Sequence, residues 1–292
     1  MDEFTATLKA REFVAKVAPS AIPVPMQAYV DQIGASLKVL HDLGDDEDGF
    51  SAMKPNGKFG ICVNGNQKKE RQRFTICHEL AHIILGLPSD HGSGPSWSYA
   101  ARSPNEIICD VFAAELLLPY RQFKPLVDAA ECSLDAVNAL ARRFEASLLA
   151  TGSRFATMMG TPCAFVLAEQ GKVRFSSRSA KMREARAWIP TRMELPQGSL
   201  ARRCRDGEAG TGPEETDPEL WFEDWDREGI LYEDARHLSA YDQTVALLWF
   251  EDEDVPLPRQ ERSDRRQREE EAFGLAELDG ELPWPGSKKR LR

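Results

Sequence analysis

Apolar residues recur along this chain with two different periods, and the change from one to the other divides it. Around residues 4–17 and 25–36 they return every three to four positions, which predicts amphipathic helices lying on a core. Between residues 58 and 64 they alternate instead, a short strand closed by the Asn64-Gly65 turn signal. A strand just upstream of a site-bearing helix is an edge on which an extended peptide can pair. From Phe74 to Leu85 the longer period returns, with Ile76, Leu80, Ile83, Ile84 and Leu87 on one stripe and Gly86 and Pro88 as stop signals. The Gly-, Ser- and Pro-rich stretch 89–102 reads as a loop. A second apolar helix starts near Pro104 and stops at Pro119. Residues 120–160 stay helical, and 132–144 with 146–151 have the character of a helix-turn-helix pair. From about residue 161 the pattern is that of strands: a hairpin over 163–168 and 172–176 around Gly171, and a buried strand over 244–250. Residues 255–292, proline-bearing and mixed in charge, read as a disordered tail.

The chemistry sits on the two central helices. His78-Glu79-Leu80-Ala81-His82 places two histidines four residues apart, on one helical face, so that both imidazoles reach a single metal. Glu79 then stands beside the open position, where a general base for a bound water is needed. Glu106, 24 residues beyond His82, supplies a third ligand from the second helix. Asp110, one turn further on, is spaced to accept the outer N–H of a metal-bound histidine. In the intervening loop, His91 and Tyr99 are candidates for hydrogen-bond donors to the transition state, set against the plainer reading of loop residues without a role.

Composition narrows the class. The chain has 292 residues and is 42% hydrophobic, as a soluble globular protein is. Its first residues lack a signal peptide's pattern, and no apolar run approaches the ~18 residues of a membrane span. Six cysteines lie singly, without a paired framework, which points to reduced thiols and a cytoplasmic location. The net charge of −10 argues against diffuse nucleic-acid coating. The basic run 68–73 reads as a solvated first helical turn.

HELAH followed by NEIICDVFAAELLLP resembles the ImmA/IrrE family of zinc metallo-endopeptidases, in its radiation-response, repressor-cleaving branch. The segments 71–76 and 116–119 match the family's habit as well. The resemblance implies an α+β fold with a thermolysin-like zincin domain over 1–120, in which His78, His82 and Glu106 bind Zn2+ and Glu79 is the catalytic base. It implies further a helical, helix-turn-helix-like segment over 121–160 and, from layout, a GAF-like sensor domain over 161–254. Ile108 stands where many members carry a second glutamate, so ligation rests on Glu106. The implied substrate is a helix-turn-helix (XRE-type) repressor, cleaved to release stress, mobile-element or anti-phage genes. The reading from a different class is a non-proteolytic regulator with a closed, structural metal site and a sensing C-terminal domain.

Two features bear on control. Cys109, one turn after Glu106, is either a packing thiol or an inhibitory ligand that displaces the catalytic water. Residues 172–205 hold ten Lys/Arg against Glu184 and Glu194, while 206–254 hold seventeen Asp/Glu against Arg227 and Arg236. Either the two halves pair with each other, or Arg202, Arg203 and Arg205 form an effector site for single-stranded DNA or a nucleotide, with Trp188 to stack on a base.

Overall fold

Asp2 accepts a hydrogen bond from Thr5 N and so caps the first helix, α1 (Glu3–Val17), whose Ala6, Ala10, Phe13 and Val14 are buried. The computed structural model describes residues 1–44, 46–89, 103–208 and 212–251. Next comes α2 (Met26–Gln32), shorter than the sequence pattern suggests. Gly34, at φ 65°, turns the chain, and residues from Ser36 are extended.

Three short strands follow: β1 (Ser36–Leu40), β2 (Gly49–Met53) and β3 (Phe59–Asn64). They form a sheet in the order β1-β3-β2, with β1 parallel and β2 antiparallel to β3. The strand expected to be an edge, β3, is therefore the central one, hydrogen-bonded on both sides. The edge nearest the candidate site is β2.

The long helix α3 (Lys69–Leu85) ends where Gly86 adopts the left-handed conformation and donates its N–H to His82 O. Antiparallel packing brings α4 (Pro104–Leu117) against α3 and α1, with Pro104 in the first turn, where a missing N–H costs nothing. Three further helices, α5 (Tyr120–Asp128), α6 (Leu134–Phe144) and α7 (Leu148–Met158), complete the helical part. A buried ion cluster locks it. Glu115, 1% exposed, accepts from Arg154 of α7, from Arg11 of α1 at 3.3 Å and from Tyr120 N at 2.8 Å. Arg154, the one Lys or Arg on α7, is thus committed to the core.

The second sheet holds β4 (Cys163–Glu169), β5 (Lys172–Arg178), β6 (Glu214–Thr216), β7 (Leu231–Leu238) and β8 (Gln243–Trp249) in the order β5-β4-β8-β7-β6, with every paired neighbour antiparallel. Both of its faces are covered, which is why β4 and β8 are buried at almost every position. Phe165, Leu167, Val245 and Leu247 join one core with α1–α7. Gly152 lets α7 approach so closely that a Cβ there would lie 2.3 Å from the Phe165 ring. Ala164, Val166, Ala246 and Leu248 face the other way. They pack on a second cluster that includes Met182 of α8 (Ala180–Glu184), Leu200 and Cys204 of α9 (Leu200–Arg205) and Trp221 of α10 (Pro218–Trp221). The expected tail, 255–292, lies outside the described residues. Among those residues no helix is long and apolar enough to cross a membrane.

Candidate metal centre

Helical geometry puts His78 and His82 on the face of α3 that meets α4, and the same geometry brings Glu106 and Asp110 to the facing side of α4. His78 Nε2 lies 3.0 Å from His82 Nε2 and 3.0 Å from Glu106 Oε2, and His82 Nε2 lies 3.4 Å from Glu106 Oε1. Among the described residues these three form the group of His, Cys, Asp or Glu able to hold a metal ion. All three are largely buried, His78 and Glu106 at 13% side-chain exposure and His82 at 3%.

The outer ring nitrogens explain why the inner ones converge. His78 Nδ1 is 2.9 Å from Asp110 Oδ1, and His82 Nδ1 is 3.2 Å from Leu87 O. Both partners are acceptors and suit a proton on each Nδ1, the tautomer that turns the Nε2 lone pairs inward toward a cation. Leu87 is within reach because the chain reverses at Gly86, with Leu87 N donating to His82 O at 3.2 Å. The helix end thereby orients its own histidine. Two imidazole lone pairs and one carboxylate then face one another, an arrangement that repels itself without a cation.

Glu79, 1% exposed, accepts a 2.7 Å hydrogen bond from Ser51 Oγ. Ser51 sits on the edge strand β2, so the sheet and the metal helix meet at this carboxylate. Sequence reasoning missed Ser51. It stands 28 positions from Glu79, and only the antiparallel register of β2 on β3 brings the two together.

The remaining candidates separate. Cys109 is fully buried, and its Sγ lies 3.5 Å from His82 Nδ1, on the side of the ring away from Nε2. Burial pushes this thiol up to about 12, with Glu106 and Glu79 adding to the rise. The thiol thus contacts the outer nitrogen of His82 rather than Nε2. Arg202, Arg203 and Arg205 are each paired: Arg202 with Asp206 at 2.9 Å, Arg203 with Glu214 and with Glu208 at 3.4 Å, and Arg205 with Asp242 at 3.3 Å. Each of the three thus has a carboxylate partner from the acidic half. Trp188, half exposed, carries the Arg178 guanidinium over its ring at 4.7 Å. His91 and Tyr99 lie outside the described residues.

Part of the chain is similar to known proteins. Residues 39–156 match the peptidase M78 family model, described as an IrrE N-terminal-like domain. The chain is 31% identical over 111 residues to the radiation response metalloprotease IrrE of Deinococcus radiodurans, covering 37% of this chain and 33% of that protein. It is 33% identical over 90 residues to the protein of the same name from Deinococcus deserti, covering 30% and 32%. The matched segments thus span about a third of these relatives' length. Among solved structures, a Mycobacterium tuberculosis transcriptional regulator shares the fold at a TM-score of 0.57 and 16% identity, over 84% of this chain and 76% of that one.

Proposed function

Because the chain belongs to the ImmA/IrrE family through residues 39–156, we propose that it is an intracellular zinc endopeptidase that cleaves a helix-turn-helix repressor and so releases stress-response genes. One observation carries the metal reading. With both Nδ1 protons committed to Asp110 and Leu87 O, the lone pairs of His78 and His82 and the Glu106 carboxylate meet within 4.8 Å of one another. Two imidazoles and one carboxylate suit zinc and leave a position open for substrate, the ligand set of a thermolysin-like site. When bound, zinc would supply Lewis-acid polarisation of a carbonyl and a water of pKa about 7.

The chain's own residues supply the rest. Glu79 takes the proton of the attacking water and delivers it to the leaving amine, the work of a general base that becomes a general acid. Ser51 Oγ holds one of its carboxylate oxygens, which fixes the other's direction. Asp110 and Leu87 O hold the imidazoles in one tautomer. The outer edge of β2, unpaired among the described residues, offers main-chain hydrogen bonds to an extended peptide beside Glu79, a mode tolerant of sequence. In this reading residues 121–160 are a structural, helix-turn-helix-like segment and 161–254 a GAF-like sensor domain. The second of these rests on the five-stranded sheet with helices on both faces.

The experiment is direct. The full chain, zinc-loaded, is incubated with the helix-turn-helix protein encoded beside its gene. Discrete fragments are expected from the wild type and none from Glu79→Gln or after chelation. An intact repressor with zinc-loaded wild type overturns the substrate assignment.

A further inference from the structure

Six cysteines are free, and two of them touch. Cys132 Sγ lies 3.6 Å from Cys163 Sγ, across 31 positions of sequence. The others have different neighbours: Cys77 the Met26 sulfur at 3.4 Å, Cys109 the His82 ring, and Cys204 Ala235 O at 3.5 Å, with Cys62 on the central strand β3. We propose that Cys132 and Cys163 form an oxidative modification site, a dithiol that a peroxide converts to a disulfide joining the start of α6 to β4.

The two thiols differ in the way such a step needs. Cys163 is fully buried at the first position of β4, fixed by Ser179 Oγ on its N–H at 3.0 Å and by Ser179 N on its carbonyl at 2.8 Å. Cys132 is half buried in the bend before Ser133, the cap of α6, and is the sulfur an oxidant reaches first. Sulfur atoms 3.6 Å apart are in contact with nothing between them. A bond of about 2.05 Å needs roughly 1.5 Å of approach. The bend, outside any helix or strand, can supply it while β4 stays in register with β8.

The chemistry balances with hydrogen peroxide as oxidant. Its O–O bond breaks as the Cys132 sulfur takes one oxygen, giving a sulfenic acid and one water. The Cys163 sulfur then attacks the Cys132 sulfur. The S–O bond breaks, and the hydroxide leaves with the Cys163 proton as a second water. The thiol pair has lost two electrons and the peroxide has gained them. Cys163 is fully buried and Cys132 only partly so, so that peroxide meets Cys132 and Cys163 meets the sulfenic acid formed beside it. The link reinforces an existing polar tie at the same place, since Leu134 N already donates to Asp234 Oδ2 of β7 at 2.7 Å.

The test uses the full chain, exposed to graded hydrogen peroxide, quenched by alkylation and mapped by mass spectrometry. Expected are the loss of two alkylatable thiols, a peptide pair joined through Cys132 and Cys163, reversal by dithiothreitol, and a Tm rise on the order of 5–10 °C from closing the loop. Cys132→Ser, at the partly exposed position, should leave Cys163 reduced under the same dose. Cys163→Ser should leave Cys132 as a sulfenic acid trapped by dimedone. Oxidation of Cys132 to the sulfinic acid without a cross-link, or a cross-link through any other cysteine, overturns the proposal. None of these readouts depends on peptide cleavage, so the result stands apart from that of the repressor assay.

Discussion

Asp110→Asn separates a carboxylate that tunes a metal ligand from one that merely fills space. Asp110 Oδ1 accepts from His78 Nδ1 at 2.9 Å, and both side chains are mostly buried, at 16% and 13% exposure. Asparagine keeps the shape and one oxygen acceptor but removes the charge, so a charge-assisted hydrogen bond becomes a neutral one of roughly half the strength. The imidazole becomes less basic at Nε2 and less firmly oriented. Loss of such a partner costs 10–100-fold in metal affinity in about the usual case. At about 1.4 kcal/mol per decade, that range corresponds to roughly 1.4–2.7 kcal/mol. The isosteric change should sit near the lower end and Asp110→Ala near the upper. The assay is competition for zinc against a chromophoric chelator at fixed pH, with the apo proteins' melting curves showing that the fold is kept. His82 is the internal control, because its Nδ1 partner is the backbone carbonyl of Leu87, which the substitution leaves in place. Wild-type affinity, within about twofold, in a folded Asp110→Ala protein would refute the reasoning.

Three further outcomes follow from the same geometry. Arg154→Met leaves the buried Glu115 carboxylate with Arg11, 41% exposed, as its remaining cation. It should destabilise by about 3–5 kcal/mol in urea titrations, and adding Glu115→Gln should recover part of the loss. Ser51→Ala should lower kcat for peptide cleavage by about tenfold while zinc content and KM hold, since only the direction of Glu79 is lost; unchanged kcat would make Ser51 a bystander. Glu233 is fully buried, and desolvation raises its pKa, with the Ala201 N–H and the Trp221 indole pulling it partly back. A raised acid favours the protonated fold, so its contribution is fullest below the unfolded carboxylate pKa of about 4.3 and is lost as pH rises through the folded value. The stability of wild type relative to Glu233→Gln should therefore fall as pH rises above about 4.3, as read by urea midpoints at a series of pH values.

The helices that carry the site were legible because their information is local. A 3.6-residue period marked α3 and α4, and i to i+4 spacing placed His78 with His82 and Glu106 with Asp110. Elements defined by partners elsewhere in the chain were not. β1 and β2 are short, with mixed polarity, and their existence depends on β3, which the alternating pattern did reveal but could not rank as central. β7 reads as polar because it buries Glu233 and Asp234, yet those carboxylates bind the N–H groups of Ala201 and Leu134, at the first turns of α9 and α6. The charge division was visible as composition, but whether its arginines faced solvent or the acidic half was decided by pairing. On α9, Arg203 pairs with Glu214 and Arg205 with Asp242, contacts that composition alone does not reveal.

The central claim is that His78, His82 and Glu106 hold one catalytic zinc with Glu79 acting beside it. Metal content by elemental analysis, measured on wild type, His82→Ala and Glu79→Gln after identical purification and zinc loading, tests it most directly. About one zinc per chain is expected in the wild type and in Glu79→Gln, and little in His82→Ala. Equal zinc in wild type and His82→Ala would contradict it.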